Sequence, residues 1–425
     1  MKQQAVLRAI FAWVLGVLGR PSETGAMRLL SRDPPEGPAS LRGRIAVEGM
    51  LVTSSELAAE ADGRTRIKAG PQLLAIPSSV ETLGAGCFQY YGYFTWVAFE
   101  ANSRLTTIEE GAFRSCSSLR SVCIPASVEV TEVRCFADCR ALSFCTFAAG
   151  SRLATIGTAA FQDCYSLRVI HIPASVRELG EECFSGCQSL GFVIFEGNPR
   201  LATIGKCAFH HCLHLSVIHI PASVQVLCES CFTQCSSLAS VFFETGSLLR
   251  TIGKDAFSHS GLRSVCIPAS VCLMGADCFK GCESLTAVAF ESGSRLTKME
   301  TGTFSGSHLR SIVIPASVEV IEAHCFEGCE FLISVAFEEG SHLQTLGCVV
   351  FAFSGLQAVC IPASVEVIKA HCFLKCESLV SVTWEGGSRL RRVEEEVFFG
   401  TPLKEVTLPN GERIPTTRYA SWECC

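Results

Sequence analysis

Cysteine is the residue type with the most chemistry to offer in this chain. There are 26 of them among 425 residues. Six pairs stand in the pattern C-F-x-x-C, running from Cys135-Phe136 to Cys372-Phe373. Paired thiols can hold zinc or form disulfides. Zinc needs four ligands gathered in space, commonly from C-x2-C pairs. Here the two cysteines lie one helical turn apart and obey different substitution rules. The first alternates with small residues (Cys183, Ala208, Cys231, Ala256, Cys278, Thr303), so its site selects burial and small volume. The second, three residues past the phenylalanine, gives way to serine at Ser260, Ser307 and Ser354, where the following loop is one residue shorter. Structural packing is the expected role. Disulfides between successive second-column cysteines stay open, because neighbouring repeats would bring their Cα atoms to about 5 Å.

Other reactive side chains point to no chemistry. His210, His211 and His214 beside Cys207 and Cys212 form the one His/Cys cluster in the sequence, and solvent-facing loop histidines are the default reading. Glu100, Glu196, Glu244, Glu291, Glu338 and Glu385 each follow an apolar run. They read as a solvated acidic edge, because one carboxylate per two repeats is too few for a calcium ladder. A Gly-rich phosphate loop, a G-x-S-x-G and an H-E-x-x-H are all missing from the sequence. No catalytic residue, cofactor or metal site is expected, and the chain is not expected to be an enzyme.

The elements that carry these residues are periodic. Ile-Pro recurs at Ile76, Ile124, Ile172, Ile220, Ile267, Ile314 and Ile361, at intervals of 48 residues and then 47. Anchor phenylalanines from Phe88 to Phe398 divide each interval into halves of 25 and 22–23 residues. About fourteen units of about 24 residues follow, within the leucine-rich-repeat range of 20–29. Runs such as Leu119–Ile124 alternate like half-buried strands. Between strand and phenylalanine a turn and a short helical piece are expected, with Leu179, Ile204, Leu227 and Ile252 facing the same side as Phe. One unit cannot bury that face alone, so the units must stack. The fold class expected is therefore an α/β repeat solenoid: a right-handed leucine-rich-repeat coil of about fourteen turns, with a parallel sheet of short strands on its concave face. The second cysteine column falls where such repeats carry Asn or Cys to bond the turn of the stack.

The strings IPASVEVIEAHCFEGCE and SVAFEEGSHLQTL resemble the BspA-type leucine-rich repeats of microbial surface proteins. The resemblance covers about residues 71–409. It implies a solenoid, and a role in adhesion or cell-surface contact. The matching residues are core residues, so it names no ligand.

The remainder of the chain is read by composition. Net charge is −6 with no basic block, which gives no support to nucleic-acid or anionic-membrane binding. Ala9–Gly19 is apolar but too short to span a bilayer. It suits a signal-peptide core, with residues 1–26 as the leader, or a hydrophobic helix packing on the first repeat. Residues 27–70 read as a linker and a degenerate first turn, 71–409 as the solenoid, and 410–425 as a tail. The terminal Cys424-Cys425 is read as chance rather than a prenylation site.

Outward strand positions are expected at the residue before the final Ile or Phe and two before that. They give Trp96, Phe144, His171, Phe192, Ile194, Val217, His219 and Phe242, then mostly Ser and Ala from Ser264 onward. An apolar and aromatic patch on one end of a sheet is the expected protein-binding surface. The function expected is a non-enzymatic protein-binding repeat protein, surface-displayed or secreted, for adhesion or ligand capture. The alternative is an intracellular scaffold with the same fold and reduced cysteines.

Overall fold

The structure is a computed structural model that describes residues 51–52 and 72–416. The expected leader, the linker apart from Leu51–Val52, and Cys424-Cys425 lie outside the described residues. The two-residue strand Leu51–Val52 pairs in parallel with Thr82–Leu83 and heads a sheet of fifteen short strands. Each coil contributes one short strand and one long strand. The long strands form a six-stranded sheet, from Gln72–Ile76 to Phe192–Phe195, and an eight-stranded sheet, from Val217–Ile220 to Ser381–Trp384. All of these neighbours run parallel. An antiparallel hairpin, Glu405–Thr407 with Arg413–Pro415, follows the last coil, so part of the expected tail is structured.

The core is the column of anchor phenylalanines. From Phe88 to Phe398, successive rings stack at centroid distances of 5.0–5.5 Å, with interplanar angles of 2–16°. Leu179, Ile204, Leu227 and Ile252 are buried beside them, each as the second residue of a short strand.

The expected helical piece is not a helix, and among the described residues there is none. The fold is a parallel β-solenoid rather than α/β. An α-helix keeps each N–H for its own segment. Here alternate N–H groups leave for the next coil: Gly111 to Val133 O, Phe113 to Cys135 O and Ser115 to Ala137 O, at 2.7–2.9 Å. The intervening ones, Ala112, Arg114 and Cys116, bond three residues back. This alternation places the residues two before and two after each phenylalanine at positive φ. Gly306 and Gly328 meet that demand without steric cost, whereas Arg134, Asp138 and His324 meet it against their preference.

Proline divides the coils into pairs. Within a pair, an Ile-Pro strand matches the next strand over four residues, as Ser121–Ile124 does with Phe144–Phe147. The closing bond runs from the residue after the second strand, as in Glu196 N to Ile172 O at 2.9 Å. Between pairs, the equivalent residue is a proline such as Pro173 or Pro268, which has no N–H to give. Pairing there shrinks to two residues for Phe144–Phe147 with Val169–Ile172, to one at Ser240↔Ser264, and to none between Phe192–Phe195 and Val217–Ile220.

The glutamates compensate for those prolines and are more than a solvated edge. The carboxylates of Glu100, Glu244, Glu291, Glu338 and Glu385 accept the N–H of the residue after proline in the preceding coil, at 2.9–3.1 Å. Glu196 departs from this pattern. Its turn reads Glu-Gly-Asn-Pro, and its carboxylate lies 3.4 Å from His171 Nδ1.

Candidate binding face

The outer side of the long strands follows from their two-residue period. Val97, Cys145, Ile170, Val193, Ile218 and Val241 point into the core and are buried. The residues between them face water. All eight residues expected on the outer face lie there. Trp96, Phe144 and Phe242 are 50, 65 and 52 % exposed. Ile194 and His219 are exposed, and His171, Phe192 and Val217 are half-buried.

Register brings most of them together. Phe144, Val169 and Phe192 are directly opposite one another on three adjacent strands. His171 is opposite Ile194 in the next row. His219 is opposite Phe242, and their rings stack at 5.0 Å. Partial desolvation holds His219 below the usual imidazole range, with Glu244 opposing. Trp96 is separated from Phe144 by the strand carrying Ser121. The patch crosses the pairless junction between Phe192–Phe195 and Val217–Ile220 and includes His171 beside Glu196. The break between the two long-strand sheets thus falls within the aromatic part of the outer face. From Ser264 onward the two outer columns carry mostly Ser and Ala, interrupted by Cys266, Val313, Cys360 and Thr383.

The thiols have another task. Nine second-column cysteines, from Cys116 to Cys376, donate Sγ–H to the carbonyl of an anchor phenylalanine one coil back, at 3.0–3.3 Å. That is the turn-bonding role expected of the column. Ser260, Ser307 and Ser354 place Oγ 3.4 Å from the cysteine of the following coil. First-column cysteines such as Cys183 and Cys231 are fully buried. The described cysteines are unbridged. The histidine cluster is spread among separate partners: His211 meets Gln234, and His214 Nδ1 is 2.7 Å from Gln188 O. Among the described residues, no three His, Cys, Asp or Glu side chains form a group able to hold a metal ion.

Two features of the face were missed by the sequence reading. One is the His171–Glu196 pair. The other is a set of arginines immediately before the strands, at Arg120, Arg168, Arg263 and Arg310. Their recurrence at the Ile-Pro interval was the available signal.

A parallel solenoid of short coils, with one long strand per coil and a hydrogen-bonded cysteine or serine at the turn, is a leucine-rich-repeat architecture. The chain belongs to the BspA type leucine-rich repeat family, whose model matches in six copies over residues 72–191, 154–286 and 297–422. Among solved structures, it is similar to a leucine-rich repeat protein from Bacteroides ovatus, at 25% identity and a TM-score of 0.66, covering 79% of this chain and 86% of that one. A leucine rich cell surface protein from Faecalibacterium prausnitzii matches at 24% identity and a TM-score of 0.42, over 75% of this chain and 89% of that one. No curated protein matches the chain. Among the described residues, no helix is long and apolar enough to cross a membrane.

Proposed function

We propose that this chain is a non-enzymatic protein-binding protein, surface-displayed or secreted, that captures a protein ligand on the outer face between Trp96 and Phe242. One observation carries the reading: Trp96, Phe144 and Phe242 leave half or more of their surface in water, on the outer side of successive long strands whose later members carry mostly Ser and Ala at the same positions. Aromatic side chains on a pre-ordered surface lose little entropy on binding and are favoured interface anchors.

The test is a peptide-display selection on the wild-type protein, counter-selected against a variant carrying Trp96→Ser, Phe192→Ser and Phe242→Ser. Peptides that bind the wild type and not the variant are expected. The variant is expected to melt within a few degrees of the wild type, since Trp96 and Phe242 are exposed, where substitutions change stability by about 0.5 kcal/mol or less each, and Phe192 is half-buried and outside the core. A melting temperature lowered by about 10 °C or more would mark these side chains as core and end the proposal.

A second reading, an intracellular scaffold using the same face, is favoured by the unbridged cysteines, because reduced thiols are usual in the cytosol. N-terminal sequencing of the protein from its natural host separates the two. A mature start near Met27 is expected for the secreted form, and an intact Met1 would assign the scaffold.

A further inference from the structure

Arg120, Arg168, Arg263 and Arg310 occupy one position of the 47–48-residue interval, each directly before a long strand of the Ile-Pro kind. All four are exposed. None has a carboxylate within ion-pair distance among the described residues, although other arginines of the array, such as Arg104 and Arg391, do. A guanidinium is a planar fork suited to carboxylate. Arg120 and Arg168 are two coils apart, as are Arg263 and Arg310, which at about 4.8 Å per parallel strand is about 9.6 Å; Ser216 stands at the position between the two pairs. A polyproline-II chain rises about 3.1 Å per residue with three residues per turn, so one of its faces repeats every ~9.3 Å. The long strand between the two that Arg120 and Arg168 precede opens with Phe144, and the long strand one coil beyond Val169–Ile172 opens with Phe192. Aromatic rings are the surfaces on which proline-rich segments dock.

We infer that the outer face binds an extended, proline-rich segment of a partner protein with an acidic residue at every third position. The segment lies along the stack, its carboxylates on Arg120 and Arg168 and its proline rings on Phe144 and Phe192. The inference rests on the reading of this face as the binding surface. It adds the chemistry and direction of the ligand. Arg263 and Arg310 repeat the spacing but flank Ala287 instead of an aromatic, so the same molecule contains its own control. A uniformly charged polyanion fits less well, because it gains nothing from the aromatics and meets a chain of net charge −6.

The probe is a fluorescent peptide of six Glu-Pro-Pro triplets, titrated with the full chain and followed by anisotropy. A block peptide of the same composition and dextran sulfate serve as competitors. Saturable binding to the wild type is expected, weakened about tenfold or more by Arg120→Ser with Arg168→Ser, which corresponds to the loss of charge-assisted bonds. Arg263→Ser with Arg310→Ser is expected to change it by about twofold or less. Equal competition by the block peptide or by dextran sulfate would reduce the effect to charge alone and overturn the inference, as would indifference to Arg120 and Arg168. If the triplet peptide does not bind while display-selected peptides remain sensitive to Trp96, Phe192 and Phe242, the inference fails and the binding face stands. If neither class binds, both fail.

Discussion

Raising the pH from 8 to above 10 is expected to unfold this protein in one steep transition. Sixteen buried cysteines have thiols pushed above the ordinary value of 9.0, in every case chiefly by burial. Cys87 is pushed up to about 12, and Cys282, Cys329 and Cys376 to about 11. Between these values and 9 the folded chain keeps protons that the unfolded chain releases. Stability is therefore intact below pH 9 and falls as pH rises through that window. Each thiol that stays protonated in the fold while the unfolded chain ionises lowers stability, and all sixteen act in that one direction against a typical total of about 5–15 kcal/mol. Circular dichroism and thiolate absorbance should change together. Replacing Cys183, Cys231 and Cys278 with alanine, the residue found at the same position in neighbouring coils, should move the midpoint to higher pH. A fold that survives pH 10.5 with its thiols still protonated, or a midpoint unmoved by the triple substitution, would remove burial of the thiols as the cause.

Phe232→Ala is expected to cost about 3–5 kcal/mol. Phe232 is fully buried and stacks on Phe209 and Phe257, at 5.3 Å from each. Its loss leaves a void that neighbouring coils cannot close without shifting their own rings. In an array stabilised by nearest neighbours, that defect also uncouples the coils on either side. The urea transition should shift to lower concentration and broaden. Phe144→Ala, on the outer face, should change stability by about 0.5 kcal/mol or less. Similar losses at both positions would contradict the division into core and surface phenylalanines.

That division was legible in the sequence because it follows from period alone. The anchor phenylalanines, the alternation in Leu119–Ile124 and the two cysteine columns all repeat at intervals set by the coil, and the structure places each where the interval requires. What stayed hidden were choices made between coils. A side chain four or five residues before Phe satisfies a helix and a turn ladder equally well. Only the partner of the Phe113 N–H, Cys135 O in the next coil, decides between them. The glutamates looked solvated because the group each one holds is 22 residues away, as Ala222 is from Glu244. The outer positions of the candidate face were readable from two-residue alternation. The His171–Glu196 pair was not, since it depends on a turn that departs from the repeat.

The prolines that interrupt the long-strand sheet have a consequence for how such a gene can change length. A recombination event that removes or copies 47 or 48 codons rejoins unlike neighbours in the order they already had. One that removes about half as many sets two prolines, or two glutamates, on successive rungs and leaves a seam without its matching partner. Growth and shrinkage of the protein are therefore quantised in twos.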